Sequence, residues 1–276
     1  MLFLINFKDG NLNDIAYGED FADALSGIYL ANQKNAPILL VKNRNKEINL
    51  VKDYIKANLT SGGTVYLLGG VNAVPKAMET GLEGFNVKRL AGATRYETNL
   101  EILKEAGISG DDILVCTGLD FADGLSASAV NQPILLVTKV MLEEQIEYLK
   151  ALGTTEFYII GGTGAVNEKI ETALSEYGTI QRIVGANRYE TSVNVAKTFF
   201  PEAKSAVLTY AFNFPDGLTG GCLAYSMDAP LILTNSNVMK KVAADYAKEA
   251  GIAGGVVLGG PTLVSDAAAK EILQVK

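Results

Sequence analysis

Phe121-Ala122-Asp123-Gly124-Leu125-Ser126, followed closely by Pro133-Ile134-Leu135-Leu136-Val137, is the stretch whose reading decides the fold. The first part predicts a helix over Phe121–Val130, rich in small residues. The second is a continuous apolar strand of the kind a parallel sheet buries on both faces. Working outward, Asp112-Ile113-Leu114-Val115-Cys116-Thr117 reads as the preceding strand. Leu142 to Leu152 reads as an amphipathic helix, with Ile146, Leu149 and Leu152 at helical spacing. Glu156-Phe157-Tyr158-Ile159-Ile160 is a third strand closed by Gly161-Gly162, and a helix from about Asn167 to Ser175 leads to a short strand at Gln181-Arg182-Ile183-Val184. Strands alternating with helices make βαβ units, so the stretch predicts a small doubly wound α/β unit, Rossmann-like in architecture only.

The same unit is written three times. Phe21-Ala22-Asp23-Ala24-Leu25-Ser26 precedes the first quoted motif, and Phe214-Pro215-Asp216-Gly217-Leu218-Thr219 follows it. Pro37-Ile38-Leu39-Leu40 and Pro230-Leu231-Ile232-Leu233 flank the apolar strand in the same way. Gly69-Gly70, Gly161-Gly162 and Gly259-Gly260 close the third strand of each copy. The aspartates recur at offsets of 100 and 93. Solenoid repeats run to roughly 50 residues, so this period is that of a small domain. The copies divide the chain into 1–87, 88–181 and 182–276. Three copies of one surface favour a binder that gains by repetition over an enzyme with one centre.

Composition narrows the function further. The chain has no histidine, which removes the commonest general base and the commonest metal ligand, and no tryptophan, so sugar stacking falls to Tyr and Phe. No cofactor and no metal is expected. Cys116 and Cys222 do not make a disulfide framework and read as buried free thiols. The net charge of −7 is concentrated in the middle copy, which carries 7 basic against 14 acidic residues. No basic stripe suggests a nucleic-acid partner, and no apolar run reaches the roughly 20 residues of a membrane span. Met1 to Phe7 is apolar but lacks the pattern of a secretory signal, so the sequence suggests a chain that stays inside or a mature or trimmed form.

Two readings attach to the repeated polar residues. Asp20-Phe-Ala-Asp23, Asp120-Phe-Ala-Asp123 and Asn213-Phe-Pro-Asp216 each place a capping residue three before an acid, as do Thr94-Arg-Tyr-Glu97 and Asn187-Arg-Tyr-Glu190. Asp23, Asp123, Asp216, Glu97 and Glu190 therefore read first as helix caps or ion-pair partners. The glycine pairs are not GxGxxG, and no P-loop is present; they read as tight strand-to-helix turns.

Arginine is used more narrowly. Of five arginines, Arg89 and Arg95 lie in Arg89-x-x-Gly92-x-x-Arg95-Tyr96-Glu97-Thr98, and Arg182 and Arg188 lie in Arg182-x-x-Gly185-x-x-Arg188-Tyr189-Glu190-Thr191. Arginine suits bidentate contact with carboxylate or phosphate, and the carboxyl edge of an open α/β sheet is where ligands bind. Anion contact and structural ion pair both remain open for these four.

Taken jointly and in order, these motifs resemble the cell wall binding repeat 2 domain of clostridial and related Gram-positive surface proteins, S-layer proteins among them. The resemblance covers nearly the whole chain. It implies three Rossmann-like units with parallel sheets, packed about a pseudo-threefold axis into one module. It also implies a non-catalytic anchor at the cell surface that binds an anionic secondary cell-wall polysaccharide non-covalently, with other surface-layer proteins as further partners. In the family the Ile-Leu-Leu segment is associated with polymer attachment, which maps here onto Ile38, Leu39 and Leu40, Ile134, Leu135 and Leu136, and Leu231, Ile232 and Leu233. Read physically, those runs are core strands. The first copy departs from the pattern: it lacks the arginine motif and passes from Met1–Phe7 to Gly18-Glu19-Asp20. A structural or lattice role without a polymer site, and a small-ligand α/β enzyme using Asp123 or Asp216, stand as alternatives.

Overall fold

The computed structural model describes residues 12–17, 20–153, 155–236 and 240–275. Met1 to Phe7 and Gly18-Glu19 lie outside the described residues. The first sheet is built from β1 (Leu12–Tyr17), β2 (Ile38–Val41), β3 (Thr64–Leu68) and β4 (Asn86–Leu90), in the order β2-β1-β3-β4. Helices α1 (Ala22–Gln33) and α2 (Asn45–Asn58) make its crossovers. The second comprises α3 (Arg95–Ala106), β5 (Ile113–Thr117), α4 (Ala122–Ala127), β6 (Ile134–Val137), α5 (Glu143–Leu152), β7 (Thr155–Ile160), α6 (Glu168–Leu174) and β8 (Gly178–Ile183), with sheet order β6-β5-β7-β8. The third runs through α7 (Arg188–Phe199), β9 (Ala206–Tyr210), α8 (Pro215–Ser226), β10 (Leu231–Thr234), α9 (Lys240–Ala250), β11 (Gly255–Val257) and α10 (Asp266–Leu273), ordered β10-β9-β11. Every described strand pairing is parallel.

The arginine motif is a junction between units. Its strand half, β4 or β8, completes the sheet of the preceding unit, while its helix half, α3 or α7, packs on the next unit's β6 or β10. The sequence boundaries at 87/88 and 181/182 therefore fall inside β4 and β8. The repeat period marks where the pattern restarts, and hydrogen bonding marks where the sheet ends.

Two helix expectations are corrected. The helix over Phe121–Val130 ends at Ala127 and tightens into a 3₁₀ turn over Ser128–Val130, where Asn131 turns left-handed at φ 58°. After Gly69-Gly70 only a 3₁₀ turn at Lys76–Glu79 forms, although α6 and α10 follow the other two pairs. Pro75 precedes that turn, and Gly81 and Gly84 adopt positive φ soon after it, which leaves no uninterrupted helical run.

The Ile-Leu-Leu strands are the outer strands of their sheets, and the two junction helices cover the open edges of β6 and β10. Asn99 of α3, fully buried, donates from Nδ2 to the Ile134 carbonyl at 2.8 Å and accepts from the Leu136 N–H at 2.9 Å. Ser192 of α7 does the same for β10, donating to the Leu231 carbonyl and accepting from the Leu233 N–H. A side chain thus satisfies the edge that a neighbouring strand otherwise would.

The units close into a ring. Helix α1 packs on β6 of the second unit, α4 on β10 of the third, and α8 on β2 of the first. At the axis Phe21, Phe121 and Phe214, the residues that precede α1, α4 and α8, meet ring to ring. Their centroids are 6.1 Å (Phe21–Phe121), 6.1 Å (Phe21–Phe214) and 5.6 Å (Phe121–Phe214) apart, with interplanar angles near 60°. Gly124 and Gly217 allow the approach: a Cβ would sit 2.3 Å from Leu25 at Gly124 and 2.8 Å from Leu125 at Gly217. One apolar core, containing Leu25, Leu125 and Leu218, runs through all three units.

A core shared in this way predicts joint unfolding. Phe21→Ala is expected to lower stability by about 3 kcal/mol while unfolding stays a single transition, as read by denaturant melts at two wavelengths. Separate transitions for the three units would contradict the shared core.

Candidate functional site

The polar repeats collect at the carboxyl edges of the sheets. The first glycine of each pair ends the strand in a left-handed conformation, with φ of 106° at Gly69, 105° at Gly161 and 94° at Gly259. Each also faces a carboxylate: a Cβ would lie 2.2 Å from Asp23 Oδ2, 2.2 Å from Asp123 Oδ2 and 2.7 Å from Asp216 Oδ2 respectively. Glycine is needed there twice over, for its φ and for the space the aspartate takes. The second glycines, Gly70, Gly162 and Gly260, meet nothing closer than 3.6 Å.

This placement corrects the capping reading of the aspartates. No side-chain cap forms at α1, α4 or α8. Asp23, Asp123 and Asp216 instead point toward the glycine turns. Asp20 and Asp120 hold their own loops, accepting from the Phe21 and Ala122 N–H groups, and Asn213 accepts from Phe214 N–H. At α3 the expected reciprocal box is present: Glu97 accepts from Thr94 N–H, and Thr94 Oγ1 from Glu97 N–H. At α7 Asn187 Oδ1 accepts from Tyr189 and Glu190, while the Glu190 carboxylate reaches one residue further back, to Ala186 N–H.

The glycines, threonines and arginines of the arginine motif each have a physical role. Gly92 and Gly185 lie so close to the first helical turn that a Cβ would sit 2.2 Å from Glu97 Cβ and 2.3 Å from Glu190 Cβ. Their N–H groups donate to Thr98 and Thr191 Oγ1. Arg89 Nη1 donates to the Gly69 carbonyl and Nε to Glu79; Arg182 Nη1 donates to the Gly161 carbonyl and Nη2 to Glu171. Both are struts within a unit, with side chains only 18% and 16% exposed, and they hold the glycine turns in place.

Arg95 and Arg188 do something different: they cross the seams. Arg95 donates to the Gly118 carbonyl at 2.7 Å and to Asp20 of the first unit at 2.9 Å, with its guanidinium 5.4 Å from the Phe21 ring. Arg188 repeats this one unit on, to the Ala211 carbonyl and to Asp120, lying over Phe121 and Phe212. The two seams with an arginine have an aspartate opposite it. The third copy carries neutral Asn213 at that place. Sequence reading missed this pairing, although the Asp20, Asp120, Asn213 series was its visible trace.

The Ile-Leu-Leu strands are corrected as direct contacts. Ile134, Leu135, Leu136, Leu231, Ile232 and Leu233 are all at most 3% exposed, and Ile38 and Leu39 are buried; only Leu40 is half-buried. The second and third runs therefore offer almost no side-chain surface, whereas Leu39 and Leu40 of the first line a surface pocket with Glu47, Leu50, Val51 and Tyr54. Sequence reading also missed Phe212, which stands 57% exposed at the second seam.

Burial pushes the Asp23 and Asp123 carboxyls up to about 6, with Asp20 and Asp120 adding repulsion and Arg95 and Arg188 partly offsetting it. Burial likewise raises the Cys116 thiol, which keeps it protonated and inert. Among the described residues, no His, Cys, Asp and Glu group has a metal-holding arrangement, and no helix is long and apolar enough to cross a membrane.

A family model described as cell wall binding domain 2 matches residues 4–79, 89–171 and 182–269. Among curated proteins, the chain is 28% identical over 265 residues to the N-acetylmuramoyl-L-alanine amidase LytC of Bacillus subtilis, covering 94% of this chain and 52% of that protein. It is 28% identical over 248 residues to the amidase enhancer of the same organism, covering 88% of this chain and 34% of that one. Of solved structures, Cwp6 from Clostridium difficile superposes with a TM-score of 0.86 at 26% identity, over 97% of this chain and 44% of that one. Cwp8 from the same organism gives 0.85 at 26%, over 98% and 49%. The chain thus spans about half the length, or less, of each relative.

The buried aspartates make stability pH-dependent with a definite sign. Their carboxyls bind protons up to about pH 6 when folded but only to the ordinary 3.8 when unfolded, so between these values the folded chain holds more protons. Their contribution to stability therefore falls as pH rises through that window. Asp23→Asn with Asp123→Asn removes this loss. The melting temperature of the variant relative to the parent is expected to rise between pH 4 and 7, and a pH-independent difference would rule out the burial account.

Proposed function

The chain belongs to the cell wall binding domain 2 family, and from that membership we propose that it is a non-catalytic wall anchor whose seams hold an anionic secondary cell-wall polysaccharide non-covalently. The observation that carries the reading is the pair of seam arginines. Arg95 and Arg188 are brought to the carboxyl edge at helix N-termini, where backbone N–H groups and the helix dipole favour anions. Each stays partly exposed, at 32% and 25% of its side chain.

The relatives support a shared module. Nearly the whole chain aligns with parts of an amidase, an amidase enhancer and two clostridial proteins. A region common to proteins of such different description is more economically a wall-directed module than the seat of any one activity. Location at the cell surface follows from the same reading. The net charge of −7 opposes an anionic partner, but the acidic excess lies in the middle unit, while the arginines act at contact range, which salt screens less. Two weak sites on one rigid body gain by avidity on a polymer with repeating charge.

A second reading has its own support. The carboxylates of Asp20 and Asp120 already pair both arginines, as a purely structural or lattice protein would require.

Co-sedimentation with Gram-positive walls separates the two. The parent is expected to bind, to lose binding when mild acid strips the secondary polymer, and to weaken as salt rises. Arg95→Ala with Arg188→Ala is expected to reduce binding about tenfold or more while a thermal melt shows the fold retained. Undiminished binding by a folded double variant would assign the arginines to the seams alone.

A further inference from the structure

The two arginine seams are alike in charge and unlike in what stands beside the charge. At the position two residues past the central strand, the second unit carries Leu119 and the third carries Phe212, which are 64% and 57% exposed. In the first copy the residue at this place in the sequence is Glu19. Phe212 is not an isolated exposed ring. Its centroid lies 5.7 Å from that of Tyr210 and 6.3 Å from that of Tyr189, both edge to face. Tyr189 is itself fixed by a 2.6 Å hydrogen bond from Asn235 Nδ2 to its hydroxyl, and Arg188 lies 5.1 Å from the Phe212 centroid. The second unit has Thr117 where Tyr210 stands; Tyr96, its counterpart of Tyr189, lies against Gly118, so at most one of the two tyrosines that flank Phe212 has an equivalent near Leu119.

The contacts with Arg188, Tyr189 and Tyr210 hold the Phe212 ring in place without burying it, which leaves more than half of the residue open to a partner. The ring's chemistry matches one partner well. The C–H face of a pyranose carries partial positive charge and packs on the negative face of an aromatic ring, while an acidic substituent of the same sugar reaches a guanidinium. Arg188 spends two bonds on the Ala211 carbonyl and Asp120, and its other N–H groups remain.

We propose that the seam between the second and third units is the sugar-reading site of this module, with Phe212 the stacking platform and Arg188 the anion contact. The seam at Arg95 then supplies charge without ring recognition. The proposal rests on the wall-polymer reading and adds which seam reads the sugar and by what surface.

The chain has no tryptophan, so a single one placed at the site is a clean reporter. The experiment titrates Phe212→Trp and, separately, Leu119→Trp with secondary polysaccharide released from Gram-positive walls by mild acid, with maltoheptaose as the neutral control. The emission of Phe212→Trp is expected to shift saturably with the wall polysaccharide, and that of Leu119→Trp is not. Phe212→Ala is expected to weaken binding roughly five- to tenfold, and Leu119→Ala to leave it unchanged. Equal shifts at the two positions, or full binding by Phe212→Ala, would overturn the assignment. If the arginine double variant is impaired while Phe212→Ala is not, stacking fails and the wall reading stands. If the parent binds no wall polysaccharide, both fail together.

Discussion

Three phenylalanines meeting on one axis are the contact on which the rest of the structure depends. Phe21, Phe121 and Phe214 sit at the starts of the three small-residue helices, so bringing the rings together fixes where each helix begins. Each helix then lies on the next unit's outer strand, and the ring of three closes. The small residues of these helices have the same cause. Gly124 and Gly217 leave room for Leu25 and Leu125 of the preceding unit, and a larger residue would push the helix off the strand it covers. No unit is complete alone, because the apolar surface of its small-residue helix, α1, α4 or α8, is covered in part by neighbouring units.

Each seam inherits a second constraint from the junction motif. A strand that ends one sheet must turn sharply into a helix that serves the next. Gly92 and Gly185 permit the turn, Thr98 and Thr191 bond it, and Arg89 and Arg182 tie the strand to the neighbouring glycine turn. Arg95 and Arg188 then emerge at the first position of the helix, directed back across the seam to an aspartate of the unit just left. The motif is conspicuous because one short segment must perform all of these tasks.

The three units have diverged where divergence is cheap. Buried positions repeat in kind, while the residue two beyond the central strand is Leu119 in the second copy and Phe212 in the third. Loops at the carboxyl edge can change without disturbing the shared core, which is why a repeated scaffold can carry non-equivalent surfaces. The buried aspartates show the opposite case. Asp23 and Asp123, set against the glycine turns, have carboxyls raised to about 6 by burial and by the neighbouring Asp20 and Asp120.

The sequence alone determined the triplication, the parallel α/β character of each unit and the family resemblance, because hydrophobic period and motif spacing are local properties of the chain. It also showed the capping box of Thr94 and Glu97, whose partners lie three residues apart. Tertiary structure decided the rest. That Asp23 abuts Gly69 rather than capping its own helix, that β4 belongs to the unit before the arginine that follows it, and that Ile134 to Leu136 form a covered edge all depend on contacts between distant segments. Arg95 and Asp20 are 75 residues apart in the chain, and Arg188 and Asp120 are 68. Which arginine is a strut and which crosses a seam is therefore fixed only when the units close around their axis.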